Sequence, residues 1–366
     1  MRTVTDPGTI AMLRDSIQRY TEEHYSFLQR KLVLAQARGF SAQAWNDYAE
    51  FGWLALRLPE EQGGIDADAP AIGVLMEAVG SRLLMEPLLA STVLGTGLLL
   101  RQGSQQQLAA WLPSLADGSM TLACALEQDA QDPCIFQEGL LFGRQLNVLH
   151  GDVAGKLIVA AQAEGKPVLC VLEADQVQGH AYRLVDGRSA ASFHFNGAAA
   201  QLLGLSQDKA ASAIALARDE ASIALCAETL GVVDSLVETT KAYLKIRKQF
   251  GRTLGSNQAL QHRMVELYLL QQEVRALVEA AQLALTMQGK ERTRLIAGAR
   301  AFIISAARHI GNEAIQMHGG LGVTEELDVS HYFRRLMVLA GLFGNRDQHF
   351  EAFMAAALSR NREECA

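Results

Sequence analysis

The chain has 366 residues, a formal net charge of −7 and 49% hydrophobic residues, the balance of an ordinary globular protein of two or three packed units. The acidic surplus argues against a nucleic-acid or anionic-membrane surface, though a local basic pocket for a phosphate-bearing ligand remains compatible with it. Its five cysteines, Cys124, Cys134, Cys170, Cys226 and Cys365, form no CxxC pair, which argues against a disulfide framework and a zinc site and fits a reducing cytoplasm.

The start, from Met1 to Gly8, has no apolar run behind a basic one, so no signal peptide is expected. Residues 1–117 read as a helical domain. Ile10, Leu13, Ile17 and Tyr20 recur at helical spacing. Trp45 to Trp53 reads as a short helix ending at Gly52. Leu58 to Gly64 is a loop by its Pro and Gly content. Leu88 to Leu100 is apolar but too short to span a bilayer, and is predicted as a buried helix.

Residues 118–205 read as a middle β domain, expected as a small antiparallel barrel or sandwich. The predicted strands are Leu122–Leu126, Lys156–Ala160, Val168–Leu172 and Ala191–Phe195. Asn196-Gly197 then predicts a hairpin turn. Residues 206–366 read as a C-terminal four-helix bundle. Ile223, Cys226, Leu230, Val233 and Val237 make an apolar stripe on its first long helix. Further helices are predicted from Asn257 to Met287, Arg292 to Met317 and Leu339 to Leu358. The fold class is therefore mainly α with a central β domain.

Two stretches carry chemistry. The first is Arg247-Lys248-Gln249-Phe250-Gly251, with Leu254 and Gln258 behind it. The second is Gln316-Met317-His318-Gly319-Gly320-Leu321-Gly322. A pyrophosphate needs a fixed cation and closely approaching backbone N–H groups. Arg247 supplies the cation, and glycines without a Cβ let backbone come near. Each stretch alone also reads blandly, as a solvated basic helix end and as a glycine C-cap.

Together, in order and spacing, they resemble the flavin-gripping segments of the acyl-CoA dehydrogenase family. Phe51 to Gly64 resembles that family's N-terminal signature, and Glu220 to Gly251 its first bundle helix. The likeness covers nearly the whole chain. It implies FAD as cofactor, an acyl-CoA substrate and an electron-transfer flavoprotein as acceptor. It implies that Arg247, Gln249, Phe250, Leu254, Gln258, Gln316, Gly319 and Gly320 grip a flavin held mainly by a neighbouring subunit. The cysteine pattern and the shortness of the longest apolar run lead to the expectation of a cytoplasmic protein without a membrane span.

The resemblance breaks down at the catalytic positions. The family's glutamate base, which removes an α-proton from the acyl-CoA, falls on Phe343 here. The alternative position, on the first bundle helix, falls on Ala221. Glu220 stands beside it, rotated by about 100° around the helix, and is a weak candidate. The flavin-ring half also departs from the pattern. The family's Thr-Glu and Gly-Ser are missing around Ala125 to Asp132, and its Trp-x-Thr strand is replaced near Leu146 to Gly151. Arg334-Arg335 and Leu342-Phe343-Gly344 resemble the small or non-catalytic subunits of heteromeric members acting on pimeloyl-CoA or steroid side-chain thioesters. The expectation is a subunit of an FAD-dependent acyl-CoA dehydrogenase, working in a heterotetramer with a second subunit that carries the base. Two alternatives are a self-sufficient homo-oligomer with a relocated base (Glu220, Glu127 or His331) and a catalytically silent acyl-CoA-binding or scaffold protein. No metal ligands are expected.

Overall fold

The computed structural model describes residues 5–36, 39–127, 131–204, 209–249 and 251–364. The chain falls into two compact units. The first comprises Met1–Ile10, Lys31–Ile72 and Met85–Ala221, and the second Ala11–Arg30, Gly73–Leu84 and Ser222–Ala366. Several helices, α1 (Pro7–His24), α2 (Phe27–Leu34), α4 (Ala69–Ser81) and α7 (Ala210–Ile246), contribute to both.

The first unit holds α3 (Ala42–Glu50), whose N-cap Ser41 accepts from the Ala44 N–H, satisfying a donor the helix leaves open. It also holds α6 (Gln105–Ala116), opened by a reciprocal capping box between Ser104 and Gln107. The apolar run predicted as one buried helix is buried but two-part. Leu88–Gly95 is π-helical, and α5 (Thr96–Gln102) follows it.

The sheet of this unit contains β1 (Leu122–Ala125), β2 (Ile135–Gln137), β3 (Leu140–Leu149), β4 (Lys156–Ala163), β5 (Lys166–Glu173), β6 (Gly179–Arg183), β7 (Ser189–Ala199) and β8 (Gln201–Leu202). Its order is β6-β7-β3-β2-β4-β5-β8, with β1 also on β4. The antiparallel barrel expectation needs correction: the sheet is not a closed barrel, and β1 and β2 each pair with β4 in parallel. The central strands β1, β4 and β5 are buried on both faces, which is why they read as continuous apolar runs and not as alternating ones.

The hairpin expected at Asn196-Gly197 is also overturned. Both residues lie inside β7. Gly197 has φ +77°, and the β3–β7 register slips between Leu141 and Phe142 opposite it. The glycine's left-handed backbone, the same property that favours a turn, here makes a β-bulge.

The second unit is the helical bundle. The buried stripe on α7 extends further than expected: residues 220–233 are buried without interruption, so this helix is surrounded and not merely amphipathic. It crosses the end of α4 at very close range. A Cβ on Gly231 would stand 1.9 Å from the Glu77 carbonyl oxygen, and one on Gly80 1.9 Å from that of Glu228. α8 (Gln258–Ala284) and α9 (Gly289–His318) follow the predicted spans closely. The last predicted helix, Leu339 to Leu358, starts only at Arg346 as α11 (Arg346–Glu364); it is preceded by an unpredicted helix, α10 (Val329–Leu339), and a turn. Asn345 caps α11, its side chain accepting from the Asp347 and Gln348 N–H groups. None of the described helices is long and apolar enough to cross a membrane.

Candidate functional site

The first flavin-like stretch lies at the end of α7. Arg247 is exposed, and its N–H still donates to the Tyr243 carbonyl at 2.9 Å, so the guanidinium leaves from the final helical turn. A short hairpin follows, β9 (Lys248–Gln249) against β10 (Arg252–Thr253). Gly251 between them has φ +80°, a conformation that favours glycine. The Leu254 N–H donates back to the Arg247 carbonyl at 2.8 Å. Gln249 is exposed, Leu254 half-buried, and Gln258 exposed as the first residue of α8. Phe250 lies outside the described residues.

The second stretch ends α9. Gln316, Gly319 and Gly320 are exposed, while Met317 and His318 are buried. Gly319 has φ +62° and ψ −142°, a region that essentially only glycine occupies. A Cβ built on either Gly319 or Gly320 would meet nothing within 4 Å. The bare backbone thus faces open space, as a close-approaching phosphate or ring requires. The bland C-cap reading holds as well, since the Gly319 N–H closes the helix on the Gln316 and Ile315 carbonyls. The two stretches are tied together. The rings of Tyr243 and His318 stack at 4.3 Å, and the Tyr243 hydroxyl donates to the His318 carbonyl at 3.4 Å.

The expected base positions hold no proton acceptor. Ala221 is fully buried. Phe343 is half-buried with φ +54°, a left-handed conformation rare for a bulky residue. Gly344 follows at φ +106°. Arg300, from α9, lies wholly buried beneath this turn, with Nη2 donating to the Leu339 carbonyl and, at 3.4 Å, to that of Leu342.

Glu220 is corrected as a candidate base. Arg57 grips its two oxygens at 3.0 Å each, and Arg101 grips them at 2.8 and 2.7 Å. Burial pushes its carboxyl up, but the Arg57 and Arg101 guanidiniums outweigh burial and hold it well below the usual range. A general base needs a pKa near the working pH and a free lone pair. This carboxylate has neither; it is one member of a buried ionic triad. Arg57 also donates to the Val93 carbonyl at 2.7 Å, inside the π-helical segment.

His331 is equally committed. It is 3% exposed, with Nδ1 at 2.7 Å from Arg30 Nη1 and Nε2 at 2.9 Å from a Glu325 oxygen. Arginine only donates, so Nδ1 accepts and a neutral ring carries its proton on Nε2. Glu127 is exposed just beyond β1. In the flavin-ring region, the segment replacing the Trp-x-Thr strand lies at a register slip between Gln145 and Val148. There Asn147 takes φ +55° and accepts from the Tyr182 hydroxyl at 2.6 Å.

Sequence reasoning missed the arginine partners of these groups. Arg57 stands inside the quoted N-terminal signature, yet nothing local marks it as the partner of Glu220. Arg335, noted for its pairing with Arg334, makes a buried fork with Glu228 at 2.8 and 2.9 Å. Among the described residues no group of three or more His, Cys, Asp or Glu could hold a metal ion.

An exposed basic hairpin after α7 and a bare Gly-Gly end of α9, tied through the Tyr243–His318 stack, stand in a mainly helical chain with a central sheet. The chain belongs to the acyl-CoA dehydrogenase family. Residues 9–119 match the family's N-terminal domain and residues 211–358 its C-terminal domain. The acyl-CoA dehydrogenase IpdE2 of Mycobacterium tuberculosis is 29% identical over 333 residues, 91% of this chain and 92% of that protein. In fold, the chain resembles the ChsE4-ChsE5 complex from Mycobacterium tuberculosis, with TM-score 0.87 and 21% identity over 97% of this chain and 98% of that one. It also resembles a Tcur3481-Tcur3483 steroid ACAD, with TM-score 0.88 and 23% identity over 97% and 99% of the two chains. The family membership carries the coarse activity, oxidoreduction of an acyl-CoA.

Proposed function

We propose that this chain is one subunit of an FAD-dependent acyl-CoA dehydrogenase and lends half of a flavin grip to a partner subunit that carries the base. The supporting observation is a contrast. Arg247, Gln249, Gln258, Gln316, Gly319 and Gly320 are exposed at one end of the bundle unit, while positions 343 and 221 hold a phenyl ring and a methyl group and Glu220 is locked between two arginines. The grip is kept and the proton acceptor is absent.

In this reading Arg247 neutralises pyrophosphate charge through a fork of N–H donors. Gly319 and Gly320 let backbone N–H groups approach it. Gln249, Gln258 and Gln316 supply amide contacts, and Phe250 and Leu254 supply apolar cover. FAD held there would supply the acceptor for the hydride of the acyl β-carbon. The α-proton passes to the partner's carboxylate, since nothing at 343 or 221 can accept it. Residues 1–117, 118–205 and 206–366 act as the helical, β and bundle domains of the subunit, and an electron-transfer flavoprotein is the expected acceptor. The names of the ChsE4-ChsE5 complex and the steroid ACAD support a heterotetramer and a steroid side-chain or similarly bulky acyl group.

The test is expression of this chain alone and beside a second acyl-CoA dehydrogenase gene that has an intact glutamate. The expected result is a colourless protein alone and a yellow complex that reduces a dye with acyl-CoA. A yellow, active protein on its own overturns the proposal. Absence of turnover with every partner supports a silent scaffold.

A further inference from the structure

We infer that Tyr243 and His318 form a pH-sensitive spacer, which holds the two flavin-gripping stretches at a fixed separation only while His318 is neutral. The inference rests on the reading of those stretches as a donated half-site. Tyr243 lies one helical turn before Arg247, and its carbonyl accepts the Arg247 N–H. His318 immediately precedes Gly319. The stacked rings and the bond from the Tyr243 hydroxyl to the His318 carbonyl therefore couple the base of the arginine to the base of the Gly-Gly turn. The His318 ring is withdrawn from the surface, at 3% exposed, and Tyr243 is half-buried. Both are positioning residues.

The protonation state follows from the partners. The Ala314 carbonyl stands 2.8 Å from His318 Nδ1, and a carbonyl only accepts, so Nδ1 carries the hydrogen. Nε2 is then a bare acceptor, buried and without a hydrogen-bond partner among the described residues. A proton there would make a buried cation whose second N–H has no acceptor, an arrangement that strongly disfavours the packed state. The groups facing the ring are Tyr243 from α7, Asp328 at the start of α10 and the Ala314 carbonyl on its own helix. Burial lowers the histidine's affinity for a proton more than the Ala314 carbonyl and Asp328 raise it.

The sign follows. A ring freed from the stack titrates near the ordinary value of about 6.5, and the stacked ring titrates lower. The stack is therefore intact above that value and loosens as pH falls through it, by up to about tenfold per pH unit for one linked proton.

The experiment uses the full chain and, for the ligand readout, its FAD-loaded complex. Hydrogen exchange of peptides covering 243–249 and 316–322 is expected to accelerate together, beyond the intrinsic rate change, as pH falls from 7.5 to 5.5. FAD retention is expected to weaken over the same range, by at most about tenfold. His318→Phe keeps an aromatic stack without a titratable nitrogen. It should retain FAD at pH 7.5 and lose both pH effects. His318→Ala should weaken retention at every pH. Independent exchange of the two peptides, or a His318→Phe protein with the wild-type pH profile, overturns the spacer. If Arg247→Ala leaves FAD retention intact while the two peptides still open together in wild type and not in His318→Phe, the donated half-site fails and the spacer stands.

Discussion

At the residue scale, the chemistry of this chain turns on carboxylates and arginines, and burial decides which carboxylates could act. Glu220 is next to a position where the family places a base, yet two guanidiniums hold it ionised. Removing one member of such a buried cluster leaves uncompensated charge and destabilises by about 3–5 kcal/mol. Glu220→Gln is accordingly expected to lower the melting temperature markedly by calorimetry. A base would behave in the opposite way: the variant would keep its melting temperature and lose turnover. His331 makes the same point from the acceptor side, since its Nδ1 lone pair already faces Arg30.

At the element scale, the crossing of α4 and α7 in the bundle unit is a backbone-on-backbone contact with a glycine on each side. A methyl at Gly231 would have to push two helices apart, because the obstacle is a carbonyl and not a flexible side chain. Overpacking of this kind costs about 1–3 kcal/mol. Gly231→Ala should therefore unfold at lower urea concentration than wild type. Gly251→Ala, where an added Cβ meets nothing, should show only the smaller strain of its positive φ. Elements were also where sequence patterns spoke most clearly. The long helices α8 and α9 emerged within a few residues from apolar periodicity alone. The errors fell where one local signal serves two structures. Asn196-Gly197 favours a left-handed backbone, which serves a bulge as well as a hairpin. Leu339 to Leu358 kept helical apolar spacing across a break made by Phe343 and Gly344.

At the scale of the whole molecule, acid stability reports on the same turn. Burial, and next to it the Arg300 charge, lowers the His349 pKa to about 4, while hydrogen bonding to the Gly344 and Phe343 backbone works the other way. The unfolded chain binds this proton at about 6.5. The contribution to stability is thus fully present above that pH and is lost as pH falls from about 6.5 to about 4. His349→Gln should flatten that part of the melting-temperature profile. A variant with the wild-type slope would remove His349 from the account.

The amino-acid sequence by itself determined the succession of helical, strand and helical regions, the two motif stretches around Arg247 and Gly319, and the lack of a proton acceptor at 343 and 221. These are matters of residue type and local period, which are written along the chain. Only the tertiary structure decided what the remaining polar groups do. Arg57 and Glu220 are 163 residues apart, Arg101 and Glu220 119, and Arg30 and His331 301. No local pattern encodes such partners, and it is the partner, through charge and burial, that turns a candidate base into a fixed ion pair.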